Sequence, residues 1–250
     1  DMIAIAISDL KRFVETNPDA EKKLRAFVGR LAQFQFSRLG WDARPGEPEE
    51  DTELRATILG CMVYAEDPDV LAEAIHRFQA TPPEQLNPEL RSVIMTAAVR
   101  YSGDVHVIDR LLDLYQSTSS SDLKSDITNA LTSTRDNGAI ARLLKLLSDT
   151  KTIRPQDTIS WYVGLLRNRE GRDATWRWLR EHWPWIEKTF GSDKSHDYFP
   201  RYSANILATR TQLDEYREFF TPLKSSPALT RAIDMGILDL SGRIELLERD

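Results

Sequence analysis

The sequence predicts an all-α fold: a HEAT-like α-α superhelix, in which stacked antiparallel helix hairpins form a bowl or arc. Three observations carry that expectation. Asn17-Pro18, Asp67-Pro68, Asn87-Pro88 and Ser226-Pro227 each place a side-chain acceptor before a proline. An acceptor at the N-cap, followed by a residue with no N–H to satisfy, is how a helix restarts. Between the restarts, apolar residues recur at helical spacing and almost nothing reads as a strand. The helix pairs then repeat at roughly forty residues, a period at which each pair buries its apolar face against a neighbour. The expected organisation is a single helical-array domain over 1–250, with an irregular Trp-rich section at about 176–202.

Taken in order, a first helix spans Met2 to Glu15 and stops at Asn17-Pro18. A second runs from Asp19 to about Leu39, with Leu24, Phe27, Val28, Leu31, Phe34 and Phe36 assigned to burial. Gly40 ends it, glycine being favoured just past a helix. A polar loop over Ala43 to Asp51 leads to helices at Thr52 to Ala65 and Pro68 to Ala80, which Thr81-Pro82-Pro83 halts. Pro88 to Tyr101 and Val105 to Tyr115 pair across Ser102-Gly103-Asp104. Asp122 to Ser133 and Ala139 to Leu147 pair across Asp136-Asn137-Gly138. Pro155 to Arg167 and Asp173 to His182 are helical, Asp193 to Tyr202 is expected as loop, and Thr211 to Phe220 begins with a weak capping signal in Thr211 and Asp214. Pro227 to about Arg249 closes the chain as a long helix.

Composition narrows the function classes. The 250 residues are 41% hydrophobic, ample for a core, and carry 39 acids against 33 bases for a net charge of −6. That balance, with no basic block, argues against nucleic acid as a partner. No apolar run is long enough to cross a bilayer, so no membrane partner is expected. The single cysteine, Cys61, rules out an internal disulfide and fits a reducing, cytoplasmic setting. The opening Asp1-Met2 has no basic flank, unlike a signal peptide, and reads as the cut end of something longer.

Catalytic constellations are missing. His76, His106, His182 and His196 form no i, i+4 pair, H-E-x-x-H is absent, and no second cysteine exists, so no ordinary zinc-ligand spacing occurs. Gly-rich phosphate loops and the Gly-x-Ser-x-Gly elbow are absent too. The acids Glu49-Glu50-Asp51, Glu66-Asp67, Asp193 and Asp197 read as caps, first-turn charges and solvated faces. Trp176, Trp178, Trp183, Trp185 and Phe190 could stack on sugars, but their helical spacing favours core packing.

Particular segments carry a resemblance. Ile153-Arg154-Pro155-Gln156-Asp157-Thr158 is followed by Leu165-Leu166-Arg167-Asn168, then Gly171-Arg172, Trp176, Trp178-Leu179 and Trp183. Arg38-Leu39-Gly40-Trp41, Gly46-Glu47 and Leu54-Arg55 stand upstream. Ala208-Thr209-Arg210-Thr211-Gln212-Leu213, Glu215-Tyr216 and Glu218-Phe219-Phe220 stand downstream. In that order they resemble the C-terminal helical domain of the aminopeptidase N family of zinc metallopeptidases. Leu229 to Asp250 is similar to lactic-acid-bacterial versions.

The resemblance implies a domain that walls the substrate chamber of an enzyme removing N-terminal residues from oligopeptides. It implies an upstream catalytic domain of the same chain as partner, with the zinc there, and neither metal nor catalytic residues in this fragment, which would be inactive alone. It also implies a carboxylate contact. Arg167, in Arg167-Asn168-Arg169-Glu170-Gly171, matches an arginine that holds the peptide's C-terminus in relatives trimming longer peptides. A guanidinium suits that task by its bidentate fork and permanent charge. A second arginine of those relatives falls near Ser133 here, with Arg135 two residues on as substitute. Arg154 occupies the place of another basic residue of the chamber wall. The plain alternative is that all three form surface ion pairs or lie in solvent. Gln156 and Asp157 read as structural. The competing functional readings are a free-standing HEAT-like protein-binding adaptor and an α-helical hydrolase with two carboxylates facing one cleft.

Overall fold

The computed structural model describes residues 2–191 and 194–248. Asp193 and Arg249, placed above in a loop and in the last helix, and Asp1 and Asp250 lie outside the described residues. Among the described residues there are fourteen α-helices and no strand. The chain divides into two compact units, 1–134 and 135–250. The pair expected across Asp136-Asn137-Gly138 straddles that division.

The first unit holds α1 (Met2–Val14), α2 (Pro18–Leu39), α3 (Glu49–Tyr64), α4 (Pro68–Ala80), α5 (Pro88–Tyr101), α6 (His106–Ser117) and α7 (Ser121–Thr132). Its starts follow the proline rule. Asn17 accepts from the Ala20 N–H at 3.1 Å, Asp67 from Val70 at 3.1 Å and Asn87 from Glu89 at 3.0 Å. α2 stops at Gly40, whose φ of 58° favours glycine. α3 ends differently. The Asp67 N–H reaches back to the Met62 carbonyl at 3.2 Å while Glu66 takes the left-handed position, φ 57°, that glycine usually fills. Glu66 is held there by Arg25, at 2.8 Å, and by the Tyr101 hydroxyl, at 3.1 Å.

Packing in this unit runs in series. α3 meets α2, α4 and α5, and α5 in turn meets α4, α6 and α7. The shared core is aliphatic: Val28, Leu59, Met62, Val70, Ala74, Met95, Ala98 and Leu111 are buried. Two arginines are buried with their counter-charges. Arg55 grips Glu47 at 2.5 Å and Arg91 grips Asp126 at 2.7 Å. The results for the two carboxyls differ. The hydrogen bond from Arg55 holds Glu47 below the usual carboxylate range, whereas burial raises Asp126 despite Arg91.

One expectation fails on α2. Leu24 and Val28 are buried as assigned, but Phe27, Leu31 and Phe34 are exposed, Phe34 at 74%. They recur at i, i+4 and i+7, so they form a second stripe beside the one facing α3. Helical spacing places residues on a face without saying which face is covered.

The second unit holds α8 (Asn137–Leu146), α9 (Pro155–Arg167), α10 (Arg172–Glu181), α11 (Trp183–Phe190), α12 (Tyr198–Ile206), α13 (Arg210–Phe220) and α14 (Pro227–Leu247). Two expectations are corrected here. Tyr198 to Tyr202 is not loop but the start of α12, because Pro200 sits in the first turn, where a proline removes no helical bond. The cap of α13 is Thr209 with Gln212, a complete capping box, rather than Thr211 with Asp214. α12 packs on both α9 and α14. The tryptophan cluster is core. Trp176 is 1% exposed, stacks on Tyr216 at 6.2 Å between centroids, and donates its indole N–H to Glu215 at 2.7 Å.

Candidate functional site

α9 owes its placement to one dense face. Thr158, Trp161, Tyr162, Leu165 and Leu166 recur at helical spacing and are all buried. Tyr162 closes that face with a 2.7 Å hydrogen bond to Ser203 of α12, and burial pushes its phenol far above the ordinary range. Arg167 is the next residue round and the last of the helix. It falls off the buried face and is exposed.

The Arg-Asn-x-x-Gly match proves to be the turn between α9 and α10. Asn168 accepts the Glu170 N–H on its side chain at 3.1 Å and the Gly171 N–H on its backbone carbonyl at 3.1 Å. A Cβ at Gly171 would stand 3.1 Å from the Leu165 carbonyl oxygen and 3.5 Å from Ile140 of α8. An added Cβ would crowd that oxygen, so glycine suits the position. Arg172 then turns its guanidinium onto the end of α9, reaching the Leu166 carbonyl at 3.3 Å and the Arg167 carbonyl at 3.4 Å. A cation there satisfies carbonyls that the helix leaves open.

The neighbouring charges are engaged elsewhere. Arg169 pairs with Glu170 at 3.4 Å, and Asp173 accepts from Gln212 at 3.0 Å. Among the described residues no carboxylate pairs with the Arg167 side chain. A rigid turn therefore holds an exposed guanidinium that an incoming carboxylate could engage.

The other two candidates divide. Ile140, in the opening of α8, packs on Gly171. Arg135, just before the Asp136 cap of that helix, thus belongs to the same end of the unit as Arg167. Arg135 has interactions of its own and is no bare charge. Arg154 sits at the opposite end of α9, about 20 Å away at 1.5 Å of rise per residue. It is also engaged, bonding Asp157 through Nε at 2.8 Å and Nη2 at 3.2 Å. A single carboxylate cannot meet both Arg154 and Arg167.

Of the acids flagged in sequence, Glu66 closes the end of α3, and others fall at helix starts. Glu49, Glu50 and Asp51 occupy the first turn of α3, and Asp67 caps α4. Among the described residues no three His, Cys, Asp or Glu side chains gather as a metal site. The zinc that the resemblance implies thus finds no ligand set among them. No described helix is long and apolar enough to cross a membrane.

Comparison with known proteins adds the following. The family described as ERAP1-like C-terminal domain matches residues 1–240. The chain is 34% identical to an aminopeptidase N of Lactobacillus helveticus over 243 residues, 96% of this chain and 29% of the relative. An aminopeptidase N of Lactococcus lactis subsp. lactis is 32% identical over 247 residues, 98% of this chain and 29% of that protein. An aminopeptidase M1 of Arabidopsis thaliana is 28% identical over 244 residues, 95% of this chain and 27% of the relative. The chain spans under a third of the length of these curated relatives.

Proposed function

The chain belongs to the ERAP1-like C-terminal domain family, and from that membership we propose that it serves as the C-terminal domain of a zinc aminopeptidase acting on oligopeptides. In this reading the hydrolytic machinery lies in the remainder of the protein, where a zinc ion would supply an activated water. The helices described here wall the substrate chamber and take the far end of the peptide. The lone Cys61, with its thiol raised by burial, suits a reducing cytoplasm.

The observation that carries the proposal is the exposed Arg167 guanidinium on its rigid Asn168–Gly171 turn. Its role is to receive the peptide's C-terminal carboxylate, with Arg135 near the same end as a second positive charge. Arg154, committed to Asp157 and a helix length away, contributes to the wall and not to that contact.

The test is kinetic. In the complete protein, Arg167→Ala should raise KM about tenfold or more for longer peptides with free C-termini, the scale of losing a charged hydrogen bond. Short chromogenic substrates and C-terminally amidated peptides should be little affected. Equal effects on all three substrate types would defeat the assignment. A free-standing adaptor remains the alternative, favoured by the exposed Phe27, Leu31 and Phe34 stripe. Failure of the complete protein to hydrolyse any N-terminal peptide bond would favour it.

A further inference from the structure

A cavity of about 520 Å³ opens between α12 and α14. Asp197, Arg201 and Asn205 line one wall at i, i+4 and i+8, which places them on one side of the α12 segment. Arg231, Met235 and Asp239 line the other at the same spacing along α14. Ala228, Ala232 and Gly236 keep the floor between them low. Gly236 is required there, because a Cβ would overlap the Tyr216 hydroxyl and stand 2.9 Å from the Ala204 Cβ. The close approach of α12, α13 and α14 thus builds the recess.

The charges of the lining balance and are not spent on one another. Among the described residues Arg201, Arg231 and Asp239 have no ion-pair partner. Asp197 buries its Oδ1 with no hydrogen-bond partner. A simple anion entering here would meet two carboxylates, and a simple cation two guanidiniums. A ligand carrying both charges satisfies both sets.

We propose that this cavity binds a free α-amino acid as its zwitterion. The ammonium group lies on the side of Asp197 and Asp239. The carboxylate lies on Arg201 and Arg231, and the ligand's side chain runs along Ala232 and Met235. The volume lies within the range of small-molecule sites. The cavity shares no residue with the Arg167 turn, so the proposal stands apart from the reading of peptide binding there.

The test is calorimetric titration of the complete protein with L-leucine, N-acetyl-leucine and leucinol, an amine with neither a carboxylate nor an amide bond to hydrolyse. The expected result is a leucine-binding event beyond any response to the two compounds that lack one of the charges. It should weaken at least tenfold in the Arg201→Ala/Arg231→Ala double variant and in Asp197→Asn. Both arginines are exposed, so the double variant should keep its fold. Leucine bound elsewhere would be bound alike by all three proteins, so the difference between them reads this cavity. Unchanged leucine binding in the variants, equal binding of all three compounds, or no binding of leucine overturns the proposal. The double variant of exposed arginines keeps the test decisive even where Asp197→Asn fails to fold.

Discussion

Up to Thr134 the chain buries aliphatic side chains and two paired arginines, whereas from Arg135 onward it buries rings. In the first unit the large buried aromatics are Phe78 and Tyr115. In the second, Trp161, Tyr162, Trp176, Trp178, Trp183, Phe190, Phe199, Tyr216 and Phe220 are all buried. The contrast follows helix length. An aliphatic core needs many small contributions, and helices of 12 to 22 residues such as α6, α7 and α2 supply them. α11 and α12 have only 8 and 9 residues. Each short helix must gain its hold from few side chains, and an aromatic buries about 150–250 Å². Ring packing is what lets the second unit keep short, irregular helices in place around the α9–α10 turn and the α12–α14 cavity.

The contrast can be broken or sharpened by substitution. The largest effect is expected for Trp176→Ala, at about 3–5 kcal/mol, because it empties the ring core and removes the indole donor from Glu215. Five of the six tryptophans follow Arg135, so fluorescence-detected urea unfolding reads mainly the second unit. Hydrogen exchange on α3 and α5 reads the first. Protection lost only in the second unit would sharpen the distinction, and equal loss in both would abolish it.

Gly236→Ala should come next, at about 1–3 kcal/mol, since overpacking forces α14 away from Tyr216 and Ala204. A fluorescence midpoint equal to that of the unsubstituted protein would show that the approach is looser than the geometry requires. Asn17→Ala tests the first unit, where a lost cap should cost about 1 kcal/mol. The expected signature is faster exchange in the opening turn of α2, with the fluorescence transition scarcely moved.

The smallest effect concerns pH. Burial, partly offset by Glu187 and Asp197, lowers His196 from its ordinary 6.5, with its ring against Trp183 at 5.0 Å. The folded state then binds fewer protons than the unfolded chain just below pH 6.5. Stability of the second unit should therefore decline as pH falls from 6.5 toward the lowered value. In the first unit the Asp42 carboxyl is held below its ordinary 3.8 by Arg77, so that contribution fades only in more acid solution. Urea midpoints at pH 7 and pH 5.5 should differ in the second unit, and His196→Gln should flatten that difference. A difference that survives the substitution would assign it to another group.

Much of this was legible in the residues. α9 runs from Pro155 to Arg167 as its proline and its apolar spacing predict, and the four capped prolines all start helices. α12 was not legible, because no side-chain cap announces it and Pro200 suggests a break. The stripe of Phe27, Leu31 and Phe34 was misread as core, since spacing is blind to what lies opposite. Arg167 was marked by its motif, yet Asn168 and Gly171 carry a physical meaning that only the turn supplies. Arg201 and Arg231 bore no signal at all, being 30 residues apart in sequence and brought to one cavity by the packing of α12 on α14.

By itself the amino-acid order determined where helices begin and end, because caps, prolines and apolar spacing act within a few residues of one another. It also determined the absence of H-E-x-x-H and of any cysteine pair. Tertiary structure alone decided that Gly171 meets Ile140, that Gly236 meets Tyr216 and Ala204, and which apolar faces are covered. Those outcomes depend on groups distant in the chain meeting in space, and burial and charge pairing are set only once they meet.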